Sequence, residues 1–224
     1  MEQKTKIVRF FNFIDQETCD KLNEWVDKAV KYNWLDKSIN EKTANYDNRL
    51  TTRFYGHRFV DYPPIVYEVF DKITEYMGLQ DMPKSVNGGG KNGLVISCTL
   101  PGGNLFEHID VMEPEGRHVL RCNILTRKAD SGAELYINGE HYDVRVGEMH
   151  CYLPSNQPHY VTAAEGETSR IMFMFGYQVT EKFWNNFYNS REAFARHKIE
   201  QSDVFKQHTF AIELPSISKV DHIY

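Results

Sequence analysis

A histidine and an aspartate stand two residues apart in the run Asn104-Leu105-Phe106-Glu107-His108-Ile109-Asp110. On an extended strand the side chains at i and i+2 leave on one face, so His108 and Asp110 can converge on a single ion. A second imidazole is available from His159, which opens a β-type run after the turn residues Asn156-Gln157-Pro158. Two imidazoles and one carboxylate on one side of a metal make a facial triad, the donor set of mononuclear non-haem Fe(II). The opposite positions stay open for a chelating cosubstrate and O₂. Arg170 then heads the otherwise apolar run Ile171-Met172-Phe173-Met174-Phe175. A guanidinium entering such a strand is costly to bury unless an anion meets it, and a carboxylate does so with two parallel hydrogen bonds.

These residues need a scaffold, and the pattern along the chain supplies one. Val8 to Asp15 is a short aromatic β-run ending at an aspartate suited to capping a helix. Cys19, Leu22, Trp25, Val26, Ala29 and Val30 then recur at helical spacing. The polar stretch from Asp36 to Tyr55 reads as a long loop, of the kind that covers sites on rigid scaffolds. Pro63-Pro64 opens a second amphipathic helix, with Val66, Val69, Phe70, Ile73, Tyr76 and Met77 on one face and Gly78 at its end. From Leu94 the texture changes to short β-runs: Leu94 to Leu100, Val119 to Thr126, Ala133 to Ile137, Tyr142 to Val146, His150 to Leu153, Tyr160 to Ala163 and Arg170 to Tyr177. Asn138-Gly139 is a hairpin signal between two of them. So many short strands in succession imply a mainly β sandwich or jelly roll with flanking helices. A last helix, Glu181 to His197, carries an aromatic face that suits a core or a homodimer contact. The tail from Gln201 to Tyr224 is apolar enough to cover a strand edge or the site mouth.

Composition narrows the partners. The chain has 224 residues, 41% hydrophobic and 13% aromatic, enough for one domain with a proper core. Its net charge of -5 offers no broad basic surface, so nucleic acid is not the expected partner. No apolar run has the roughly 18 residues of a membrane span and no apolar leader opens the chain, so a cytoplasmic protein is expected. Cys19, Cys98, Cys122 and Cys151 lack C-x-x-C spacing and are expected to be reduced, mostly buried thiols.

The order H-x-D, then His159, then Arg170 resembles the 2-oxoglutarate and Fe(II)-dependent dioxygenase superfamily. The opening aromatic strand, Asp15 and the Cys19 helix are similar to the start of its prolyl-hydroxylase-like branch. The resemblance implies a double-stranded β-helix (jelly-roll, cupin-like) core. It makes His108, Asp110 and His159 the ligands of Fe(II), and Arg170 the partner of the distal carboxylate of 2-oxoglutarate. Arg121 and Asn123, which share a strand face, are further candidates for the cosubstrate. Residues 1–92 would then be helical support, 93–179 the core and 180–224 a terminal helix and tail of one oxygenase domain. Relatives that halogenate have Gly or Ala at the carboxylate position; Asp110 points to hydroxylation instead.

The expected substrate is a small polar molecule such as a free amino acid or a derivative, with Arg53 and Tyr55 as contacts. A protein side chain is the alternative within the same chemistry. Arg49 to Gly56 faintly resembles the AlkB-like nucleobase demethylases, but that branch has a second arginine where this chain has Gly176. A non-oxygenase cupin would show H-x-H followed by a glutamate, absent here in register. His118, His141 and His150 lack paired spacing and are expected on the surface or hydrogen-bonded in the core. Gly88-Gly89-Gly90-Lys91 lacks phosphate-loop spacing and reads as a turn.

Overall fold

The computed structural model describes residues 5–37, 49–51, 62–86 and 93–200. Arg53, Tyr55, the Gly88–Lys91 turn and the tail from Gln201 lie outside the described residues.

Two sheets face each other. The larger has seven strands in the order β1 (Val8–Phe10), β10 (Met149–Tyr152), β6 (His118–Arg127), β13 (Arg170–Val179), β4 (Leu94–Thr99), β3 (Arg49–Thr51) and β2 (Asp36–Lys37). The smaller runs β5 (Leu105–His108), β11 (His159–Val161), β8 (Leu135–Ile137) and β9 (Glu140–Tyr142). A two-stranded ribbon pairs β7 (Ser131–Gly132) with β12 (Ala164–Glu165).

The sequence-based reading needs three adjustments. The ends of the supposed loop from Asp36 to Tyr55 form β2 and β3, which pair with each other and extend the large sheet beyond β4. The sheet also recruits β1 through β10, so it is not confined to residues 93–179. The run expected from Tyr142 to Val146 is instead a strand ending at Tyr142. Its partner β8 precedes Asn138-Gly139, and both turn residues have positive φ, 50° and 76°. That geometry matches the right-handed twist of a hairpin.

Helix α1 (Gln16–Lys31) starts where the Asp15 carboxylate accepts the Thr18 amide at 2.8 Å, and it buries Cys19, Leu22, Val26 and Ala29. Helix α2 (Pro64–Met77) has proline at its first position and ends on Gly78 at φ 66°, burying Val66, Val69, Phe70, Ile73 and Met77. Helix α3 (Glu181–Glu200) places Trp184 and Phe187 in the same core. All three cover the outer face of the large sheet, where Leu94, Ile96, Leu120, Cys122, Ile124, Cys151, Phe173 and Phe175 form an apolar layer. The four cysteines are free and buried. A second, smaller apolar cluster fills part of the space between the sheets, with Leu125, Leu135, Ile137, Val161 and Met172. No helix among the described residues is long and apolar enough to cross a membrane.

A sheet buried on both faces is ordinarily apolar on both. The large sheet departs from this on its inner face. There, Ser97, Thr99, Arg121, Asn123, His150 and Arg170 are all buried. Polar side chains are not needed to hold two sheets together, so this face belongs to a site.

Candidate metal centre

His108 ends β5 and lies directly opposite His159, the first residue of β11. The strand stops there, so Asp110 is not held by the ladder. Its backbone amide instead donates to Pro154 O at 2.9 Å, tying the segment after β5 to the end of β10. The three side chains meet as the sequence spacing implied, and their ligand-type atoms all lie within 4.8 Å of one another.

The tautomers suit a cation. His108 Nδ1 donates to Phe106 O at 2.7 Å, and His159 Nδ1 donates to Gln157 O at 3.1 Å. A proton on Nδ1 leaves the Nε2 lone pair free to bind, which is how metal-ligating histidines are commonly oriented. Burial, opposed by Asp110, lowers the His159 imidazole to about 4, so it is neutral at physiological pH. Burial also works to raise the Asp110 carboxyl. The nearby His108 imidazole and the charge of Arg121 outweigh it and hold the group well below the usual carboxylate range. A neutral His159 imidazole beside an anionic Asp110 carboxylate matches the protonation states a divalent ion requires.

The wall facing the triad comes from rows across the large sheet. Tyr152, Arg121 and Gly176 stand side by side in one row, and His150, Asn123 and Met174 in the next. Arg121 Nη1 and His150 Nδ1 are buried without a hydrogen-bond partner. Asn123 Nδ2 donates to His150 Nε2 at 3.4 Å, which puts the ring proton on the orphaned Nδ1. Burial, reinforced by the nearby charges of Arg170 and Arg9, lowers His150 to about 3. Burial likewise pushes the Tyr152 hydroxyl well above the usual tyrosine range. Arg170, at the foot of this wall, is lowered to about 10 by burial and has no ion pair with a described carboxylate. Buried donors without acceptors cost free energy. Here the His150 Nδ1 donor stands near the buried charge of Arg170, and a carboxylate-bearing molecule would relieve both.

The fold these elements make is a known one. Solved structures similar to this chain include a Pseudomonas putida prolyl-4-hydroxylase, 15% identical, with a TM-score of 0.53 over 80% of this chain and 94% of that one. The chain has the fold of the prolyl hydroxylases. That fold, a double-stranded β-helix, is shared by two further structures. One is a prolyl hydroxylase from Trichoplax adhaerens in complex with a hypoxia inducible factor oxygen degradation domain peptide fragment, at 12% identity and TM-score 0.52 over 81% of this chain and 87% of that one. The other is HygX from Streptomyces hygroscopicus with nickel, 2-oxoglutarate and hygromycin B bound, at 10% identity and TM-score 0.52 over 79% of this chain and 84% of that one. No family model and no curated protein matches the sequence.

Within this double-stranded β-helix, the sequence-derived residues His108, Asp110 and His159 cluster, and Arg121, Asn123 and Arg170 are buried on the large sheet's inner face. Arg53 and Tyr55 lie outside the described residues. His118 is bonded to Ser155 Oγ at 2.9 Å, and the exposed His141 lies 2.7 Å from Glu134. His150 and Tyr152 were not among the expected site residues. The signal was present: their two-residue spacing puts them on one face of β10, and the pairing with β6 aligns that face with Arg121 and Asn123.

Proposed function

We propose that the chain is a 2-oxoglutarate- and Fe(II)-dependent dioxygenase that hydroxylates an organic substrate. The observation that carries this is the placement of a carbonyl-oriented His108–Asp110–His159 cluster opposite a wall of buried, unpartnered donors. His108 and His159 would hold the metal through Nε2 and Asp110 through a carboxylate oxygen. Bound iron supplies the redox chemistry that couples decarboxylation of 2-oxoglutarate by O₂, giving succinate and CO₂, to insertion of one oxygen atom into a substrate C–H bond.

The protein's own residues do the rest. Arg170 supplies a buried charge for the distal carboxylate of 2-oxoglutarate, and His150 Nδ1 a neutral donor beside it. The low dielectric around them strengthens both interactions and selects a dianion over a neutral molecule. Met172, Met174 and Leu125 keep water from the interior between the sheets. This matters because a reactive oxidant in a wet cavity is consumed by side reactions.

The substrate half of the proposal is twofold. A small polar molecule, such as a free amino acid, fits a compact chain, and the HygX complex is an instance of this fold holding hygromycin B. A protein or peptide side chain is favoured by a specific observation. Phe106, Ile109, Val111 and Met112, interleaved with the ligands, are 43%, 52%, 74% and 37% exposed. Apolar groups so placed beside a metal site suit a substrate that brings apolar surface of its own. Succinate formation in the presence of Fe(II), 2-oxoglutarate and O₂, screened against free amino acids and against peptide libraries, tests both. Turnover stimulated by neither class, with no background decarboxylation, would overturn the proposed activity.

A further inference from the structure

We propose that Arg121 is a positioning residue for Asp110 and not a contact to the cosubstrate. This rests on the reading of His108, Asp110 and His159 as metal ligands. The two oxygens of Asp110 have different neighbours. Oδ1 stands 3.4 Å from His108 Nε2, while Oδ2 stands 3.5 Å from Arg121 Nη2. An oxygen engaged by a guanidinium is withheld from a metal, so Oδ1 is the ligand atom and the carboxylate binds through one oxygen only. Two-oxygen binding would take a position that the cosubstrate or O₂ needs.

The surroundings of Arg121 are built to hold it there. Its backbone is in the centre of the large sheet, hydrogen-bonded between Tyr152 on β10 and Gly176 on β13. Its side chain is 9% exposed, and Asp110 is its ion-pair partner among the described residues. The room for the guanidinium comes from a missing side chain. A Cβ at Gly176 would stand 3.0 Å from Arg121 Nη1 and 2.7 Å from Ser85 Cβ. Position 176 therefore needs glycine for space, and Ser85 and the Arg121 guanidinium share that space. A cation beside a divalent ion also repels it, so charge and positioning make opposite demands. On charge alone, removing Arg121 tightens metal binding; on positioning, removing it loosens binding.

The test uses Co(II) as the probe, titrated calorimetrically into the full chain. Arg121→Met keeps the stem and removes the guanidinium, while Arg121→Lys keeps the charge and loses the fork; melting temperatures report whether each folds. Co(II) affinity should fall by about 10- to 100-fold in Arg121→Met, the usual cost of losing a residue that orients a ligand. Affinity for 2-oxoglutarate at saturating Co(II) should stay at the wild-type value. Unchanged or tighter Co(II) binding in both variants overturns the proposal. A loss of 2-oxoglutarate affinity at saturating Co(II) also overturns it, because it puts the guanidinium on the cosubstrate. His108→Ala is measured alongside: if it binds Co(II) as the wild type does, the triad reading falls and the assignment of Arg121 with it.

Discussion

His108 and His159 face each other across the β5–β11 pair, and each donates its Nδ1 proton to the carbonyl two residues before it, Phe106 O and Gln157 O. The same local device thus sets both imidazoles, with no side chain needed to fix the tautomers. A ligand pair oriented by its own backbone is pre-organised before any ion arrives, and its geometry depends on strand register more than on neighbouring side chains.

Arg170 is the residue on which cosubstrate affinity should depend most. Hydrogen bonds to charged groups contribute about 1.5–3 kcal/mol, so Arg170→Met should weaken 2-oxoglutarate binding by roughly 10- to 150-fold. Calorimetric titration of 2-oxoglutarate into the Zn(II)-loaded variant measures it. Wild-type affinity there would place the distal carboxylate elsewhere.

Acid should destabilise the metal-free protein earlier than its carboxylates alone would require. In the unfolded chain an imidazole takes its proton near 6.5, whereas burial delays this to about 3 for His150 and about 4 for His159 in the fold. Between those limits the unfolded state binds more protons. The stabilisation is therefore complete above 6.5 and is lost as pH falls, by at most about 1.4 kcal/mol per pH unit per histidine. His150→Phe, which keeps a ring stacked on Tyr152, should make the pH dependence of urea unfolding between pH 6 and 4 shallower by one histidine's share. An unchanged slope would show that His150 titrates normally.

Two phenylalanines separate stability from function. Phe173 is fully buried in the helix-covered layer, and Phe173→Ala should cost about 3–5 kcal/mol in denaturant unfolding. Phe106 is half-exposed beside the metal cluster, and Phe106→Ala should change stability by less than about 0.5 kcal/mol. On a substrate that stimulates succinate formation, Phe106→Ala should raise KM severalfold while metal affinity stays at the wild-type value. An unaltered KM would remove the apolar rim from the substrate site.

Much of this was legible before the fold was known, because the informative residues are local. Asp15, Pro64 and Gly78 mark helix ends through their own backbone chemistry, and Asn138-Gly139 marks its hairpin in the same way. The two-residue spacing of His108 and Asp110 carried the metal site, although Asp110 lies beyond the strand and is held by Pro154 O. What stayed hidden depends on pairing between distant strands. β2 and β3 are too short and polar to stand out from a loop, and only the pairing of β3 with β4 and of β2 with β3 makes them strands. His150 lies on β10, whose inner face joins the site only because that strand pairs with β6. Spacing put Arg121 and Asn123 on the right face, but the Arg121 contact to Asp110 crosses between the sheets, and no pattern within β6 foretells it.

The central claim is that His108, Asp110 and His159 bind a metal that 2-oxoglutarate then joins. Anaerobic titration of Fe(II), followed by 2-oxoglutarate, into the wild type and His108→Ala tests it most directly. The expected result is one Fe(II) per wild-type chain and 2-oxoglutarate binding that needs the metal, with both lost in His108→Ala at an unchanged melting temperature of the metal-free protein. Equal Fe(II) binding by His108→Ala, or 2-oxoglutarate binding of the same strength without metal, would contradict the account.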